Sequence, residues 1–69
     1  MIANDDELKG TRARIANFED LLAQMRVTAP VELFPSMASG YRAEIEKMQR
    51  EVLEYLTRHA SQPPLAEVA

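Results

Sequence analysis

Sixty-nine residues, 46% of them apolar and 28% charged, with a formal net charge of −3, make one small unit. Cysteine is absent, which excludes disulfide staples and thiolate metal sites, the usual supports of a mini-protein. Below roughly 70–80 residues a single core seldom contributes more than about 3–5 kcal/mol, so the chain needs very regular helix packing or a partner.

The opening residues Ile2 to Asp6 are neither basic nor a long apolar run, which argues against a signal peptide. No stretch approaches the ~18 apolar residues of a membrane span. The reading is a cytoplasmic protein with no membrane association.

A first helix is predicted over about 4–27. Asn4 can cap its first turn while Glu7 reaches back, a capping-box pattern. Asp5, Asp6 and Glu7 put negative charge at the positive end of the helix dipole. Apolar positions then recur at alternating spacings of three and four: Leu8, Ile15 and Leu22 at one heptad position, Thr11, Phe18 and Met25 at the other. Thr11 is the weak member of this seam.

The helix should stop near Val27, because Thr28-Ala29-Pro30 and Phe34-Pro35-Ser36 carry breaker chemistry, each proline biasing the preceding residue away from the helical region. A loop is expected over 28–35, with Ser36 or else Ser39 capping a second helix over about 36–59. The seam of that helix reads Ala38, Tyr41, Ile45, Met48, Val52 and Tyr55. Glu46–Arg50 and Glu54–Arg58 stand at i,i+4 in the favourable order on its outer side. Ser61-Gln62-Pro63-Pro64 should end the hairpin at about residue 60, leaving 61–69 as a flexible tail.

An antiparallel hairpin pairs Leu8 with Tyr55, Thr11 with Val52, Ile15 with Met48, Phe18 with Ile45, Leu22 with Tyr41, and Met25 with Ala38. The midpoint of that register falls between Val31 and Glu32, inside the segment the prolines mark as loop. The fold class is therefore all-α, an antiparallel coiled-coil-like two-helix hairpin.

One helix–helix contact covers only one side of each seam residue. Leu53, Leu56 and Ala60 form a stripe beside the seam, Leu21 projects from a flank of the first helix, and Gly10 should lie near Leu53. These residues either widen the hairpin's own contact or form a second face for another copy or another protein. A homodimer completing a four-helix bundle is the simplest closure.

No catalytic, cofactor-binding or metal-ligating residue can be nominated. His59 is the only histidine, and the position three residues before it, where a bundle metal site needs Glu, is Leu56. It reads as a partner for the helix C-terminal dipole. Glu44, Glu46, Glu51 and Glu54 spread around their helix with basic residues between them, a solvated face. The serines and threonines have no base in a nucleophile arrangement, and Gly10 and Gly40 are isolated rather than part of a phosphate loop. Lys9, Arg12 and Arg14 cluster, but the acidic chain lacks a concentrated basic face and a third helix, which argues against DNA reading. Arg12 and Arg26 flank the seam, where they can shield it or pair with Glu44 and Glu51.

Two pieces resemble a known group. Met1-Ile2-Ala3-Asn4-Asp5 leading through Thr11 to Phe18-Glu19, and Ser39-Gly40-Tyr41-Arg42-Ala43-Glu44-Ile45-Glu46-Lys47-Met48 through Glu54-Tyr55-Leu56, are similar to the helical hairpins of small bacterial antitoxin-like proteins. In many of those a repressor-type helix–turn–helix domain follows. No position of this chain matches that domain, so the resemblance implies an interaction module and carries no DNA binding. The expected function is a non-enzymatic protein–protein interaction module that self-associates, with a dimer favoured. An antitoxin-like partner of a neighbouring gene product is the alternative, and a nucleic-acid accessory using Lys9, Arg12 and Arg14 is a further one.

Overall fold

The computed structural model describes residues 1–59 and shows an all-helical hairpin, α1 (Asp5–Thr28) and α2 (Phe34–Leu56), packed against each other. Ala60 and the expected tail 61–69 lie outside the described residues.

The start of α1 follows from its capping chemistry. Asn4 takes an extended backbone, and its side-chain oxygen accepts from the Glu7 amide at 2.9 Å. The Glu7 carboxylate accepts in turn from the Ala3 amide at 3.0 Å, one residue ahead of the cap itself. This reciprocal clasp turns the chain back on the hairpin, and Ile2 is only 3% exposed. At the other end, Pro30 holds Ala29 in an extended conformation, which stops the helix, while the Ala29 amide still donates to the Met25 carbonyl. The Thr28 hydroxyl donates to the Gln24 carbonyl at 2.9 Å.

The second helix starts earlier than the prolines suggest. Pro35 falls in its first turn, where the missing amide would have no intrahelical acceptor in any case, so it starts the helix rather than breaking it. The Pro30 carbonyl accepts from both the Leu33 and Phe34 amides, a tight turn that feeds directly into α2. The connection thus shrinks from the expected 28–35 to residues 29–33. Ser36 does not cap: the cap position is Leu33, which makes no side-chain bond, and the Ser36 hydroxyl donates back to the Leu33 carbonyl.

The C-terminal end also differs. α2 ends at Leu56 rather than near His59: the Thr57 amide and hydroxyl both donate to the Leu53 carbonyl, at 3.0 and 2.7 Å, and the Arg58 amide then donates to Tyr55, three residues back. A tightened last turn of this kind is a common way of closing a helix.

Between the helices, Leu8, Thr11, Ile45 and Met48 are buried, and every other seam residue is half-buried: Ile15, Phe18, Leu22, Met25, Ala38, Tyr41, Val52 and Tyr55. Phe18 and Tyr41 meet edge-to-face with ring centroids 5.5 Å apart. No side chain among the described residues falls below 2% exposure. The hairpin is one layer of helix, with a seam that opens on both sides.

Candidate interaction face

The two sides of the seam are chemically different, and the direction of the helices decides what stands on each. When the second helix runs antiparallel, its left and right flanks exchange relative to a parallel partner. The flank of α1 carrying Arg12, Glu19 and Arg26 therefore shares a side with Arg42, Gln49 and Leu53, not with Glu44 and Glu51.

On that side runs an open groove. Its wider part, about 810 Å³, is lined by Leu22, Ala23, Phe34, Pro35, Ala38 and Ile45, with Glu19, Arg26, Arg42 and Glu46 along its rims. A narrower part of about 350 Å³ continues past Gln49 to Ile15, Val52, Leu53 and Arg12. The half-buried seam residues Ile15, Leu22, Ala38 and Val52 all open onto this groove. On its rim the Arg42 guanidinium is bonded to Glu46 at 2.7 Å.

The opposite side is partly closed. A smaller hollow of about 240 Å³ lies among Phe18, Met37, Gly40, Tyr41 and Glu44. Nearer the open end of the hairpin, the Met1 amino group is bonded to Glu51 at 2.8 Å. That hydrogen bond pulls the Glu51 carboxyl below its ordinary value; burial opposes the shift, while the charge of the amine and those of Lys47 and Arg14 reinforce it. At the same end the Tyr55 hydroxyl donates to Asp5 at 2.5 Å, which holds the phenol above its usual range, and Arg58 lies over the Tyr55 ring.

Several expected pairings are corrected by this geometry. Glu46 is paired with Arg42, not Arg50, and Arg58 stacks on Tyr55 rather than meeting Glu54. Arg12 and Arg26 are on the groove side, whereas Glu44 and Glu51 are on the other, and it is Arg14 whose charge reaches Glu51. Arg12 and Arg14 thus point to opposite sides and build no common basic patch.

The candidate face does not gather into one surface. Leu53 is 60% exposed on the groove wall, and Leu56, 50% exposed, follows it one turn position on. Leu21, 40% exposed, stands one helical turn from both Phe18 and Met25, on the side of Arg14. Ala60 is outside the described residues. Leu53 does not pack on Gly10: a Cβ built there would meet nothing within 4 Å, and a Cβ on Gly40 would meet nothing either. Sequence reasoning also missed Ile2: the position directly ahead of the cap, where an apolar residue signals a chain folding back on its helix, is the exposed Ala3, and it is Ile2, one residue earlier, that is buried.

No group of His, Asp or Glu among the described residues could hold a metal ion, and no described helix is long and apolar enough to cross a membrane. His59 follows the end of α2. No protein-family model, no curated protein and no solved structure matches the chain.

Proposed function

We propose that this chain is a non-enzymatic interaction module that completes its core by associating with a second copy, giving a four-helix bundle. The observation that carries the reading is the open groove: a seam whose apolar residues are mostly half-exposed along one side of a single helical layer. Two such hairpins laid groove to groove would enclose Leu22, Ala38, Ile45 and Val52 from the side that one hairpin leaves bare. Removing that surface from water is worth about 25 cal/mol per Å², and it supplies the second layer that small helical domains are built from.

The test is absolute mass by light scattering after size exclusion across a dilution series, with helicity followed by circular dichroism. A helical dimer whose helicity falls together with its mass on dilution is the expected result. A monomer at every concentration would overturn the reading and leave the groove to a different protein.

A further inference from the structure

Resting on the self-association reading, we infer that the two copies lie with their loops at the same end, α1 of each over α2 of the other, with Glu19 of one copy meeting Arg42 of its partner. The rim charges of the groove select this arrangement.

Along α1 the rim carries Arg12, Glu19 and Arg26, with Glu19 midway and seven residues from each arginine. Two hairpins can meet groove to groove about a two-fold axis in two ways. If their loops point in opposite directions and the grooves are centred on each other, α1 lies over α1. Glu19 then faces Glu19, and Arg12 faces Arg26. Every charged contact along that rim is repulsive.

If the loops point in the same direction, the axis runs parallel to the helices and α1 lies over the partner's α2 at equal height. α1 ends at Thr28 and α2 begins at Phe34. Glu19, nine residues before the first, is therefore level with Ala43, nine residues after the second. Arg42 is the adjacent residue, about 1.5 Å away along the axis, while Glu46 is three times as far. Arg12 comes level with Arg50, which is on the outer side of α2, and its groove-side neighbour is the neutral Gln49. Neighbouring helices are antiparallel in both arrangements, so the helix dipoles do not distinguish them and the rim charges decide. On the opposite side of the hairpin the carboxylate that a partner's cation would seek is already engaged: Glu51 holds the Met1 amine and feels the charges of Arg14 and Lys47 of its own chain.

The experiment uses two single charge reversals, Glu19→Arg and Arg42→Glu, each studied alone and in an equimolar mixture by light scattering. Alone, each variant places two like-charge contacts in its own dimer, and dimerisation should weaken by at least roughly tenfold. In the mixture, one chain of each kind restores both contacts, so the mass should return to that of a dimer containing both chains. Arg42→Glu also removes the bond to Glu46 within the chain; mixing does not restore it, so recovery reports the contact between copies. Asp20→Arg, on the outer side of α1, should leave the mass unchanged. Singles that keep the wild-type mass, or a mixture that stays monomeric, would overturn the arrangement while leaving self-association standing. A monomeric wild type would overturn both.

Discussion

The two sides of this hairpin share one seam and differ in how each is finished. On one side, Met1 to Ala3 fold back under the capping interaction of Asn4 and Glu7, Ile2 is buried, and Glu51 is paired. On the other, Ile15, Leu22, Ala38 and Val52 open into a groove that nothing in the described chain covers. The seam is the same set of residues in both cases. A short segment of chain supplies the cover on one side, and the other side is where the molecule has most to gain from a partner.

The largest effect expected from breaking this arrangement is at Ile45, which is buried in the seam and also lines the groove. Ile45→Ala should destabilise the fold by about 2–5 kcal/mol and lower both helicity and mass, as read by circular dichroism and light scattering. Next comes a contrast between the sides. Leu53→Glu with Leu56→Glu should convert the proposed dimer to monomer, whereas Leu21→Glu, on the other side, should leave the mass unchanged. A loss of dimer on Leu21→Glu with none on the paired substitution would exchange the roles of the two sides.

Gly10 and Gly40 sharpen the same comparison. Both are inside helices, and a Cβ meets nothing at either position, so each change to Ala should stabilise the hairpin by about 1 kcal/mol in thermal melts without altering its mass. A drop in mass on either substitution would show another chain approaching the side away from the groove.

The smallest effect is at Glu51. Its folded pKa is lowered, so its contribution is present above the ordinary carboxylate value and is lost as pH falls through the lowered one. Glu51→Gln should cost roughly 0.5 kcal/mol near neutral pH, with the difference from wild type shrinking in acid melts.

These contrasts also separate what can be read from the chain from what cannot. The two helices, the cap at Asn4 and the seam positions are local or periodic features, and heptad spacing sets which residues share a helix face regardless of the partner. The start of α2 was misread because proline carries two opposite signals: Pro35 breaks a helix that precedes it and starts one that follows. Nothing in the residues nearby decides between them until the Pro30 carbonyl is seen turning the chain into α2. The end of α2 differs for a similar reason, since the last turn tightens, with the Arg58 amide bonded three residues back to Tyr55, and helical periodicity does not encode that.

What the sequence by itself determined is therefore the amphipathic pattern: two helices, one seam, and a connection around Val31. The antiparallel order, legible in the sequence, already implies that the flanks of one helix are exchanged against the other, so that Arg12 stands with Gln49 and Leu53 rather than with Glu51. Only the tertiary structure decided how each side is finished, because the fold-back of Met1 to Ala3 is a contact between segments far apart in the chain: it gave one side of the hairpin a cover and left the other a groove.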